Sequence, residues 1–214
     1  KKMNKAILIL VGILLLSCQE NYTPKPRGFF KISFPEKEFK QYAQDCPFTF
    51  EFPTYSKIKT LEKDCFFNLY FPDFNATLHL SYFPIFDNLY EHTEESRTLA
   101  YKHSIKANAI SEQPFIDKKN KVFGLVYDYE GTTATALQFY LTDSTNHFFR
   151  GALYFNTEVN DSILPVSNFL QEDIKYLIES FRWKEKLDKL PLIKPKPPQT
   201  DAPEQRKLER QKGG

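Results

Sequence analysis

Glycine is scarce in this chain, seven residues in 214, and methionine and tryptophan occur once each. No GxGxxG, P-loop, GxSxG or HExxH motif is present, which removes the usual sequence signatures of nucleotide binding, acyl transfer and zinc proteolysis. Three cysteines form no CxxC pair, and the four histidines (His79, His92, His103, His147) are scattered, so no metal-ligand spacing and no cofactor motif can be read. Charge of one sign is also lacking. Residues 1–17 carry Lys1, Lys2 and Lys5 and no acid, leaving 26 bases against 27 acids in the remainder. A near-neutral body offers no basic face for nucleic acid. Finally, no apolar run approaches the length a membrane-spanning helix needs: the longest, Ala6 to Leu16, has 11 residues.

What is abundant is aromatic side chain, with 21 Phe and 12 Tyr, accompanied by 14 Pro. These favour strands and fixed turns over a helical bundle. The short apolar run follows a basic start and ends at Leu15-Leu16-Ser17-Cys18. That pattern resembles a bacterial lipobox, in which a signal peptide (here residues 1–17) is removed and the cysteine, Cys18, is acylated with fatty chains such as palmitate. The alternative is an ordinary secretory signal with an incidental Cys. An exported chain leaves Cys46 and Cys65 in an oxidising compartment, where a disulfide is expected; two buried free thiols or a metal site are the alternatives.

Residues 18–47 contain Pro24, Pro26 and Pro35 and are expected as an extended, lipid-anchored arm. Phe29, Phe30, Ile32 and Phe34 are too apolar for a purely solvated linker, and suit docking on the domain or on a partner. The globular domain is expected over residues 48–184. "FTFEF" alternates. Cys65, Phe67, Leu69 and Phe71 share one face of a strand, as do Ala76, Leu78, Leu80 and Tyr82 of the next, with Thr77, His79 and Ser81 opposite. A helix is expected from about Asn88 to His103 with Asp87 as its cap. Strands follow near 107–116, 121–130, 134–142 and 147–156. A second helix covers "DSILPVSNFLQEDIKYLIESFRW", with Ile163, Val166, Leu170, Ile174, Leu177, Ile178 and Phe181 at helical spacing. Residues 185–214, with five prolines and many charges, cannot bury a core and are expected as a disordered Pro/Lys-rich tail. The order β-β-β-α-β-β-β-β-α implies an α+β domain, a mostly antiparallel sheet with two helices packed on it. That order resembles the Mog1/PsbP-like α/β sandwich.

One stretch concentrates reactive side chains: "DSTNHFFRGALYF", with Asp143, Ser144, His147 and Arg150 within eight residues. Alternation along a strand sends His147 and Arg150 to opposite faces, so they do not converge on one reacting atom. Asp143 and Ser144 suit a turn in which short polar side chains bond their own backbone. No catalytic residue is assigned. His147 and Arg150 are candidates for partner contact, together with Phe29 and Phe30.

The blocks "PKPRGFF", "ISFPE", "CPFTFEFP", "CFFNLYFPDFNATLHLSY", "KHSIKA", "LTDSTNHFFRGALYF" and "DSILPV", following a lipobox, resemble the gliding-motility lipoprotein family GldD over about residues 18 to 184. Phe66 departs from the Trp expected after the Cys, and an aromatic is retained. The resemblance implies an envelope lipoprotein of gliding motility and type IX protein secretion. Its role would be that of a non-catalytic component or scaffold with other gliding and secretion envelope proteins as partners, held on the periplasmic face of the outer membrane. The rival readings are a periplasmic lipoprotein that binds a small apolar or cell-wall-derived ligand, and a cryptic hydrolase. "DST" and "DSI" also resemble the Asp-Ser/Thr O-glycosylation signal of such envelopes, which makes Ser144 and Ser162 candidates for glycan.

Overall fold

Alternating apolar residues commit the middle of the chain to strands that hide one face, and the path between those strands decides which of them is central. In the computed structural model, residues 32–102, 107–131, 133–156 and 163–184 are described. The chain divides into two units, Lys1–Phe34 and Pro35–Gly214. In the second unit the strands are β1 (Phe39–Gln41), β2 (Phe48–Thr49), β3 (Glu51–Pro53), β4 (Lys57–Thr60), β5 (Phe67–Phe71) and β6 (Ala76–Pro84). Helix α1 (Leu89–Lys102) precedes β7 (Ala109–Asp117), β8 (Val122–Glu130), β9 (Thr135–Thr142) and β10 (His147–Phe155); α2 (Leu164–Ser180) and β11 (Arg182–Trp183) close the fold.

Seven strands form one antiparallel sheet in the order β4-β5-β6-β10-β9-β8-β7. After β6 the chain crosses through α1 to the far edge and returns as a meander, so β10 lands beside β6. The strand "HFFRGALYF" is therefore central, paired on both sides. At the far edge β7 carries Pro114, which has no donor and is tolerated where no further strand pairs.

The two faces differ in chemistry. One buries Phe67, Leu69, Phe71, Leu78, Leu80, Leu137, Phe139, Leu141, Phe149 and Leu153 beneath α2 and the β1–β3 segment. The expected α2 stripe is the one used: Leu170, Ile174, Leu177, Ile178 and Phe181 are buried, with Ile163 and Val166 packed beside them. The other face lies towards α1 and holds a smaller cluster of Ala100, Tyr127 and Tyr129. Ser96 and Ala100, four residues apart, are small enough to seat α1 close to the sheet.

Several expectations change in detail. The folded unit reaches back to Pro35, so residues 35–47 are not part of an extended arm: β1 pairs with β3, and Tyr42 is buried against Phe48, Phe50 and Phe67. "FTFEF" buries alternate residues as expected but breaks at Phe50 into β2 and β3, because its halves pair with different partners, β11 and β1. The second helix ends at Ser180 rather than continuing to Trp183. Phe181 turns extended (φ −66°, ψ 135°), and Arg182 and Trp183 pair with Thr49 and Phe48. Asp87 is not the cap of α1: it has left-handed backbone (φ 58°), and the first turn closes from the His92 N–H to the Asn88 carbonyl. Residues 18–31, His103 and residues 185–214 lie outside the described residues.

Gly151, at the middle of β10, shows how tightly the core face is filled. A Cβ there would overlap the Phe139 ring and lie 3.0 Å from a Leu80 methyl. Gly151→Val is expected to destabilise the domain by about 3 kcal/mol or more, since an overpacked core must displace neighbouring rings. Arg150→Ala, one residue away, is expected to cost well under half of that. Denaturant unfolding of both variants checks the ordering; equal or reversed losses would contradict the packing described.

Candidate functional site

The Asp143–Asn146 loop joins β9 to β10, and its conformation follows from one carboxylate. Asp143 Oδ1 accepts the backbone N–H groups of Thr145, Asn146 and His147 at 3.0, 2.8 and 2.9 Å. Ser144 sits at φ 69°, a left-handed position, with its N–H donated to Thr142 Oγ1. Burial alone would raise the Asp143 carboxyl, but these donors and the nearby His147 hold it below the usual carboxylate value of 3.8. The acid is thus consumed in shaping the turn.

Beyond the turn, alternation separates the two remaining polar side chains. His147, on the face of Phe149, shares a 2.8 Å hydrogen bond between Nδ1 and the Tyr82 hydroxyl and stacks on Trp183 with ring centres 5.1 Å apart. Burial depresses His147 below 6.5 despite Asp143 nearby, and burial pushes Tyr82 up to about 12. Arg150 lies on the other face, where Nη2 donates to Gln138 Oε1 at 3.1 Å. Gln138 is only 1% exposed, and its Nε2 is buried with no partner. Asp143, His147 and Arg150 are therefore divided between a turn and two faces, and these three do not meet at one point as a catalytic group would. Among the described residues no cluster of three His, Cys, Asp or Glu is placed to hold a metal ion.

Cys46 and Cys65 form a disulfide, with Cα atoms 5.7 Å apart. It ties the loop before β2 to the loop before β5, and closure of a loop of this size contributes about 3 kcal/mol in the chain-entropy account. Beside it opens a cleft of about 720 Å³ walled by Tyr42, Phe66, Phe67 and Tyr82. On the opposite side of the sheet, α1 presents a different surface. Tyr90, Arg97 and Tyr101 are spaced seven and four residues apart, which places them on one ridge. Tyr90 is 76% and Tyr101 44% exposed. Arg97 stands 5.7 Å over the Tyr101 ring and 3.7 Å from Glu94, and the Tyr101 hydroxyl donates to Glu112 at 2.7 Å.

Of the other residues singled out in the sequence, Ser144 is exposed at the tip of the β9–β10 turn. Cys18, Phe29, Phe30 and Ser162 lie outside the described residues. Two groupings were not legible. Asp173, 1% exposed inside the apolar stripe of α2, accepts a hydrogen bond from the Tyr55 hydroxyl and an ion pair from Lys37 at 3.2 Å. Burial and then Asp173 itself raise the Tyr55 hydroxyl. The polar side chain at a core position was the available signal, and its partners lie more than a hundred residues away in the chain. The α1 ridge was hidden because Tyr90 and Tyr101 read as ordinary members of a helix until the sheet fixed which side faces out.

Residues 19–183 match the family described as gliding motility lipoprotein GldD. Its description is that of a lipoprotein, not of an enzyme. No curated protein matches. One similar solved structure is the solution structure of cyanobacterial PsbP (CyanoP) from Synechocystis sp. It is 9% identical, covers 70% of this chain and 94% of that chain, and superposes with a TM-score of 0.45. Among the described residues no helix is long and apolar enough to cross a membrane.

Burial lowers His79, His92 and His147 from the ordinary value of 6.5. As pH falls through 6.5 the unfolded chain binds protons that the native domain refuses, so stability drops towards the lower native values. Asp143, held below 3.8, adds a loss only at more acid pH. The denaturant midpoint is expected to be lower at about pH 5.5 than at about pH 7.5, and the difference to shrink in a His92→Gln, His147→Gln double variant. A midpoint that rises on acidification would contradict the burial of these rings.

Proposed function

The chain belongs to the gliding motility lipoprotein family GldD, and from that premise we propose that it is a non-catalytic component of the gliding and type IX secretion machinery. It acts by holding protein partners at the envelope. Acylation of Cys18 tethers it, on the periplasmic face of the outer membrane. O-glycan on Ser144 would be carried at a turn where bulk is tolerated.

The observation that carries the non-catalytic reading is the division of Asp143, His147 and Arg150 among a turn and two sheet faces, each already engaged by protein groups. Such residues shape and stiffen a central strand. Partner contact falls instead to the exposed α1 ridge. Tyr90, Arg97 and Tyr101 are the residue types that dominate interface energetics, and Arg97 and Glu112 already order the Tyr101 ring and hydroxyl. Ordering before contact lowers the entropy cost of binding.

The test is a crosslinking pulldown of the native lipoprotein from cells expressing Tyr90→Ala with Tyr101→Ala, compared with His147→Gln. The ridge variant is expected to lose partner proteins and gliding while keeping its membrane level and unfolding midpoint. His147→Gln is expected to retain both. Loss of gliding in His147→Gln at normal protein level, with partners unchanged in both strains, would refute the scaffold reading and return attention to chemistry at β10.

A further inference from the structure

The cleft beside the disulfide has an aromatic wall that no described side chain fills, and the route of the chain suggests what does. Its walls are Tyr42, Phe66, Phe67 and Tyr82, with Leu61, 44% exposed, at the mouth. A volume of about 720 Å³ lies within the range of sites that enclose a short peptide or small molecule. Aromatic grooves of this kind take extended, proline-containing segments, whose stiffness limits the entropy lost on docking.

Lys184, where the described chain ends, is held at the cleft. Its backbone N–H donates to the Pro47 carbonyl at 2.9 Å and its Nζ to the Gln44 carbonyl at 2.8 Å. Both Pro47 and Gln44 line the cleft. The sequence that follows is "EKLDKLPLIKPKPP", in which Leu190-Pro191-Leu192-Ile193 is an apolar block flanked by Lys189 and Lys194. Leu190 is the sixth residue after Lys184, a reach of about 20 Å when extended. The cleft rim carries the exposed acids Asp45 and Asp64. The lysine at the rim, Lys63, is already placed over the rings of Phe66 and Phe83 at 4.2 and 4.8 Å. The surroundings therefore suit a basic, apolar, proline-bearing strand arriving from Lys184.

We propose that the chain's own segment Leu190–Ile193 docks in this cleft, with Lys189 and Lys194 meeting Asp45 and Asp64. Docking in cis needs only weak intrinsic affinity, because a short linker supplies an effective concentration in the millimolar range. It is independent of the α1 ridge, which lies on the other face.

The experiment places the photo-crosslinker p-benzoyl-phenylalanine at Leu61 in the full-length lipoprotein, and maps adducts by peptide mass spectrometry. A control probe replaces Ile116, exposed on the opposite edge strand. The Leu61 probe is expected to give an intramolecular adduct with the peptide containing Leu190–Ile193, and the Ile116 probe none. Leu190→Asp with Leu192→Asp is expected to remove most of the Leu61 adduct while leaving the unfolding midpoint unchanged. An adduct with another polypeptide or a second copy, an equal tail adduct from Ile116, no adduct at Leu61, or an adduct that survives the Asp substitutions would each overturn the proposal.

Discussion

The Phe149 ring is the contact on which the rest of this domain depends. Its centre lies 4.7 Å from that of Phe48, 5.0 Å from Phe181, 6.1 Å from Phe50 and 6.2 Å from Phe139. Those partners belong to β2, to the end of α2, to the break between β2 and β3, and to β9. One fully buried ring therefore joins the large sheet to β2, to the β2–β3 break and to the end of α2. Offset and tilted ring pairs of this kind add about 0.5–1.5 kcal/mol each beyond the apolar area they remove from water. The disulfide, the Tyr55–Asp173–Lys37 group and the pairing of β11 with β2 act at the rim of this contact and keep the cover aligned over it.

This constraint explains how the strand that carries His147 and Arg150 comes to lie at the centre of the sheet. β10 must be central for Phe149 to reach four elements, and a central strand has both faces occupied. His147 then falls at the end of the core face against Trp183 and Tyr82, and Arg150 falls beneath α1 beside Gln138. The same arithmetic leaves α1 on a Tyr- and Gln-lined face that is poorer in apolar contact than the core face. Its buried residues are small and its outward ridge is aromatic, and buried Nε2 atoms without partners occur both on α1, at His92, and on β9, at Gln138. The two faces divide the labour: one builds the domain, and the other seats α1, whose ridge of Tyr90, Arg97 and Tyr101 is exposed.

Much of this could be read from residue order. Period-two alternation in β5, β6 and β10 and the helical stripe of α2 are local signals, and each is realised on the face expected, except that Cys65 falls in the loop before β5 with left-handed backbone (φ 58°). The separation of His147 from Arg150 needed nothing beyond strand geometry, and the Asp143 turn nothing beyond the chemistry of short polar side chains. What escaped was non-local. β1, β4 and β11 are only two to four residues long and become strands because β3, β5 and β2 lie beside them. Ser180 ends α2 because Phe181 is needed in the aromatic core and Arg182 and Trp183 are drawn into pairing. Asp173 reads as a defect in an apolar stripe until Tyr55 and Lys37 are placed against it. The cleft and the α1 ridge exist only once the sheet order assigns inside and outside.

A double-mutant cycle between Phe48 and Phe149 tests the central claim most directly. Phe48→Leu, Phe149→Leu and the double variant would be compared by denaturant unfolding of the oxidised domain. If the Phe149 ring joins the cover to the sheet, the two losses will be non-additive, with a coupling of about 0.5–1.5 kcal/mol. Additive losses, with no coupling beyond about 0.3 kcal/mol, would mean that the β1–β3 segment and the sheet are held together by something other than this contact.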